Sequence, residues 1–163
     1  MLDSREIVLI ALVTAAAWSD LRTKRIPNWI TAPGAVLGFL LQVWYGGLHG
    51  ALASLAGAGL GLAIFLVFHI AAGMGAGDVK LFGAVGAFVG PQNLMIVFVL
   101  TALLGGIAGL ALAASRGRLR ATFHRTGELL LGRSVASAGP GALRLPYGAV
   151  IAGGTLLALI ALH

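Results

Sequence analysis

Apolar residues dominate the chain in long runs, broken by short polar or glycine-rich stretches. About 20 mostly apolar residues are needed to span a bilayer as a helix, and shorter runs suffice where neighbouring helices cover their ends. Six runs meet that description: 7–18, 29–45, 51–72, 79–89, 94–114 and 147–162. The pattern predicts an all-α polytopic membrane protein, a bundle of about six transmembrane helices with the fourth one short. Gly90-Pro91 stops that fourth run, which is expected to be half-buried or surrounded by other helices. A single membrane-embedded domain over 1–163 is expected, with one sizeable polar, basic loop at about 115–145.

Charge orients this bundle. Of the 11 Lys and Arg residues, ten fall on one side of a six-span arrangement. Arg22, Lys24 and Arg25 follow the first run, Lys80 opens the fourth, and Arg116, Arg118, Arg120, Arg125, Arg133 and Arg144 lie in the long loop. Basic residues concentrate on the cytoplasmic side of membrane proteins, so both termini are expected outside, in a multi-pass cytoplasmic (inner) membrane protein. The turns at 46–50 and 90–93 hold neither Lys nor Arg, as external turns should. In the loop, Leu119, Phe123 and Leu130 recur near helical spacing among arginines, and they read either as a basic surface helix or as a solvated linker.

Composition agrees, with 59% hydrophobic residues, 10% charged and a mean hydropathy of +0.99. The net charge of +6 is explained by topology, so nucleic acid is not expected as a partner, whereas membrane lipid is. Cysteine is absent, which excludes disulfides, a thiol nucleophile and cysteine-ligated metal. The first run is read as a retained span rather than a cleaved signal, since cutting after Ala15-Ala16-Ala17 would sacrifice Asp20.

The candidate chemistry lies in Gly73-Met-Gly-Ala-Gly-Asp-Val-Lys-Leu-Phe82. It places Asp78 between apolar segments, and an ionisable residue at membrane depth is a functional-site hypothesis in itself. Gly73, Gly75 and Gly77 leave room for another backbone beside the carboxyl. Of the 5 acids, Asp3 and Glu6 sit at the N-terminus and Glu128 in the polar loop, so Asp20 is the natural partner of Asp78. The charge pattern puts both on the cytoplasmic side.

Two carboxyls in one site do not ionise together easily, so one keeps a proton near neutral pH. Together they form an acid and a base that can drive water onto a peptide carbonyl without a metal, cofactor or covalent intermediate. Phosphate- and dinucleotide-binding loops fail on spacing, because Leu81 follows Lys80 and Asp78 stands where a glycine is needed. Two aspartates alone are a thin set of metal ligands.

These residues also carry a resemblance. Gly75-Ala76-Gly77-Asp78 resembles the Gly-x-Gly-Asp signature of intramembrane aspartyl proteases, and Val79-Lys80-Leu81 looks like its type IV prepilin peptidase version. The segment from Ser19 to Asn28 resembles that family's first-aspartate motif, and Leu145-Pro146-Tyr147-Gly148-Ala149 resembles the start of its last span. The resemblance implies an aspartic endopeptidase that removes the leader of a type IV pilin-like precursor at the cytoplasmic face. Asp20 and Asp78 would be its catalytic pair, with Gly75, Gly77 and Lys80 in the active-site loop. Larger members also methylate the product through a cysteine-containing segment; with no cysteine and no such segment before the basic motif, the short, peptidase-only form is expected. An archaeal preflagellin-type peptidase, a small proton or cation transporter using the same aspartates, and a non-catalytic pilus assembly partner are the alternatives.

Other residues read in two ways. Arg22, Lys24 and Arg25 hold lipid headgroups or meet a precursor, with headgroups preferred. Lys80 either acts on Asp78 or reaches the interface. His69 is a partner of the aspartates or a packed histidine, with packing preferred. Trp18, Trp29, Trp44 and Tyr45 suit membrane interfaces, and Gly38, Gly57, Gly59 and Gly61 suit close helix packing.

Overall fold

The computed structural model describes residues 3–115 and 147–162. The basic loop at about 115–145, with its arginines and Glu128, lies beyond Ser115 and outside the described residues. Among these the fold is all-helical: α1 (Ser4–Thr23), α2 (Asn28–Ala72), α3 (Ala76–Ser115) and α4 (Tyr147–Leu162). The expected count of about six transmembrane helices is therefore corrected to four helices among the described residues, two of which, α2 and α3, are long and apolar enough to cross a membrane.

The difference arises at two glycines. Where open turns were expected, helical hydrogen bonding resumes at once on either side of Gly47 (φ 53, ψ −135) in α2 and Gly90 (φ 72, ψ 173) in α3. Both backbones lie where only glycine is at ease. The chain nevertheless reverses there. Gln42 and Ser54 would stand about 18 Å apart along a straight helix, yet Gln42 Nε2 donates to the carbonyl of Phe88 and Ser54 Oγ to that of Ala87. Likewise Phe82 and Phe98, about 24 Å apart on a straight helix, have ring centroids 6.3 Å apart.

The leg of α3 before Gly90 forms the centre of the bundle, with residues 81–88 all buried. The expected short fourth run is thus enclosed by its neighbours. Gly38 and Gln42 of α2 face Phe88; beyond the kink, Gly57 meets the backbone of Gly86 and Gly61 that of Phe82. A Cβ at either Gly57 or Gly61 would run into a facing carbonyl, so these positions serve the close packing expected of them. Gly59 does not, because its side-chain direction is open. The second leg of α3 packs on α4 through Thr101 against Gly154 and Leu104 against Gly153. Phe82 stacks on Phe65 at 4.0 Å, and Leu9, Val13 and Ala16 of α1 and Ile151 of α4 complete the core.

Large apolar side chains cover the outside, including Trp29, Trp44, Leu48, Ile70 and Ile160. An apolar exterior over a well-packed interior is what a lipid solvent requires, and it marks a membrane protein. Trp18, Trp29, Trp44 and Tyr45 all belong to this exposed surface, and Arg22 lies over the Trp18 ring at 4.3 Å.

Candidate active site

Asp20 lies in the last turn of α1. The helix stops four residues later at Lys24, whose left-handed backbone (φ 52) sends its N–H back to the carbonyl of Asp20. The Ser19 hydroxyl donates to the carbonyl of Arg25 at 3.1 Å, and the Thr23 hydroxyl, 2.9 Å from the carbonyl of Ser19 and 3.0 Å from that of Arg25, shares its proton between them and fastens this turn. The Asp20 side chain points inward and is buried. Its Oδ2 accepts a 2.8 Å hydrogen bond from the backbone N–H of Gly148, in the first turn of α4.

Asp78 reaches the same place from the other side of the bundle. Gly73 ends α2 in the left-handed region (φ 68), and His69 Nδ1 bonds the carbonyl of Met74, tying the helix end to the glycine stretch. With α3 beginning at Ala76, Gly75 is its cap and Asp78 its third residue. The N–H of Asp78 donates to the carbonyl of Gly75 at 3.0 Å, and the Asp78 carboxyl lies near the backbone N–H of Gly75. The carboxyl of this third residue turns back toward the start of its own helix, as the third-position acid of a capping box does, while Gly75 has no side chain to make the other half of such a box. The glycines have specific reasons to be glycines: a Cβ at Gly75 would lie 2.9 Å from Asp78 Oδ2, and one at Gly77 would lie 3.0 Å from the Cβ of Ile26. Gly77 thereby lets the α1–α2 connection, and Asp20 with it, approach the start of α3.

The two carboxyls line one cleft of about 350 Å³, together with Lys24, Arg25, Ile26, Asn28, Gly75, Gly77 and Lys80. Asp20 and Asp78 are 6% and 8% exposed, and Asp78 lies within electrostatic reach of Asp20. All five residues singled out from the sequence, Asp20, Gly75, Gly77, Asp78 and Lys80, border this cleft. Lys80 Nζ donates to Asn28 Oδ1 at 2.9 Å, which bridges the starts of α2 and α3 at the mouth. His69 bonds Met74 rather than an aspartate, in keeping with a packed histidine. Sequence reasoning did not assign a part in the site to Gly148, to Asn28, or to Tyr147, which also lies within electrostatic reach of Asp78. The signal for the first and third was the short Tyr147-Gly148 match at the start of the last run.

Chemically, two buried acids at the base of a cleft open to solvent can share a proton and activate water between them. The fold and this site define a helical membrane protein with a two-carboxylate cleft. Residues 7–110, more than half of the chain and including both aspartates, match the model of the Type IV leader peptidase family, and the chain belongs to that family. It is 35% identical over 120 residues to a prepilin leader peptidase/N-methyltransferase of Bacillus subtilis, covering 69% of this chain and 46% of that protein. Proteins of the same name from Aeromonas salmonicida and Neisseria gonorrhoeae are 30% identical over 139 residues and 27% over 118, covering 82% and 69% of this chain and 46% and 41% of theirs. The chain thus spans less than half the length of these relatives. No solved structure matches it.

Proposed function

We propose that this chain is an intramembrane aspartyl endopeptidase that removes the leader of type IV pilin-like precursors at the cytoplasmic face of the inner membrane. The observation that carries the reading is the convergence of Asp20 and Asp78, from the end of one helix and the start of another, on one cleft in a member of the leader peptidase family. One aspartate is ionised and takes a proton from water as the water oxygen attacks the scissile carbonyl carbon. The other is protonated and donates to the carbonyl oxygen. Gly75 leaves no side chain beside Asp78, so an extended peptide backbone can lie against it, while Gly77 lets Ile26 close in on the start of α3. The basic rim of Lys24, Arg25 and Lys80 suits the cytoplasmic headgroup level, which fits an active site on that side with both termini outside.

The domain is the whole 1–163 segment, acting as a peptidase. Methyl transfer is assigned to no residue of this chain, which lacks cysteine. The test is mass spectrometry of a candidate prepilin after co-expression with the wild type, Asp20→Asn or Asp78→Asn. The wild type is expected to yield the shortened product without an added methyl mass, and each variant to leave the precursor intact. Cleavage by either variant at the wild-type rate would end the two-aspartate mechanism.

A further inference from the structure

The two aspartates are held differently. Asp20 rests on the opening turn of α4, where the N–H of Gly148 donates to its Oδ2 at 2.8 Å and the N–H of Ala149 lies near the carboxyl. These are the second and third residues of a 16-residue helix, and the first N–H groups of a helix have no carbonyl partner within it. Such a donor, presented by the positive end of another helix with a second N–H beside it, suits a group that only accepts, which is an ionised carboxylate. Asp78 also sits in the first turn of a helix, its own α3, but among the described residues its carboxyl receives no donor from another element to match the Gly148 N–H.

Gly148 adds a second, steric observation. A Cβ there would stand 2.9 Å from the Cβ of Asp20, 2.9 Å from Cδ1 of Ile26 and 3.0 Å from Asp20 Oδ2. Only a residue without a side chain lets the helix terminus come this close.

Building on the peptidase reading, we infer that the first turn of α4 is a positioning element that holds Asp20 as the ionised general base, and that Gly148 is the positioning residue that makes the seat possible. Asp78 then carries the shared proton as the general acid. In the reaction, the Asp20 carboxylate takes a proton from water as the water oxygen bonds to the scissile carbon, and Asp78 gives its proton to the carbonyl oxygen. The C–N bond breaks as Asp20 passes its proton to the leaving nitrogen and Asp78 takes back a hydroxyl proton. One water is added, and both aspartates return to their starting states. Among the described residues, the charged and titratable groups around Asp20 are Asp78 on α3, Lys24 and Arg25 on its own connection, Lys80 across the cleft and Tyr147 on α4.

The experiment uses the full chain in detergent with a pilin-like precursor. Gly148→Ala should lower kcat about 10- to 100-fold, as a displacement of a fraction of an ångström to about 1 Å at a reacting group does, with little change in KM. The acid limb of its rate profile should move to higher pH, because an anion that loses well-aligned donors forms less readily. A wild-type kcat and limb, or an equal loss at every pH with a raised KM, would overturn the inference. Adding Ile26→Val removes the Cδ1 contact but leaves the conflict with Asp20, so the double variant should keep the defect; recovery to the wild-type rate would mean packing alone. On the wild type itself, a carbodiimide that reacts with protonated carboxyls should modify Asp78 at neutral pH, and modification of Asp20 instead would reverse the roles. If the wild type does not cut, or Asp20→Asn or Asp78→Asn still cuts, the peptidase reading has failed rather than this division of labour.

Discussion

Gly77→Ala tests how the two halves of the site are brought together. The added methyl would lie 3.0 Å from the Cβ of Ile26 and 3.1 Å from its carbonyl oxygen. Ordinary contact between such carbon atoms is about 3.5–4.0 Å, so the connection after α1 must give way by a few tenths of an ångström. That connection cannot yield by itself, because Ser19 and Thr23 are fastened to the carbonyl of Arg25 next to Ile26. The displacement is passed to Asp20. A shift of about 1 Å at a reacting group costs on the order of 100-fold, so a shift of a few tenths of an ångström should lower kcat by about three- to tenfold. The assay is precursor cleavage by the purified protein, with kcat and KM separated and the melting temperature measured alongside. Gly59→Ala is the control, since no atom lies within 4 Å of its Cβ position; it should cleave as the wild type does. A Gly77→Ala protein that cleaves at the wild-type rate, or a Gly59→Ala protein that loses as much, would refute the reasoning.

The site was legible in the sequence because acids are scarce there. With 5 in the whole chain, two beside apolar runs stand out, and their shared side of the bundle follows from the basic residues around them. The last run at 147–162 coincides with α4. What hydropathy cannot register is how a chain turns: one glycine with positive φ at Gly47 or Gly90 reverses the path while helical bonding continues on both sides, and runs that looked separate join. Nor does it tell one face of a helix from another. Gly57 and Gly61, four residues apart, face α3, whereas Gly59 between them does not. The bond from Gly148 to Asp20 spans 128 positions, and only the packing of α1 on α4 brings its ends together. Lys80 was balanced between two uses, and its partner Asn28 belongs to another helix.

Three further outcomes follow from the packing and charges. Phe82→Ala removes a fully buried ring that stacks on Phe65, and it should cost about 3–5 kcal/mol, read as unfolding by denaturing detergent. At the N-terminus, Asp3 is held below the ordinary carboxylate range, first by the hydrogen bond from Arg5; its contribution is present at neutral pH and lost as acid protonates it. Arg5→Ala should move the Asp3 titration, followed by NMR, toward the ordinary value. The kink glycines separate conformation from contact. Gly47 has no atom within 4 Å of its Cβ position and Gly90 only Ala53, at 3.8 Å or beyond, so alanine fits both sites sterically. Their backbones nevertheless lie where a side chain costs about 1–3 kcal/mol, and Gly47→Ala and Gly90→Ala should each destabilise by that amount. Gly46 has the same open surroundings without positive φ, and Gly46→Ala should be neutral. If Gly46→Ala and Gly47→Ala destabilise alike, the reversal of α2 does not depend on the backbone freedom of Gly47, and the account of how two apolar runs become one folded helix is wrong.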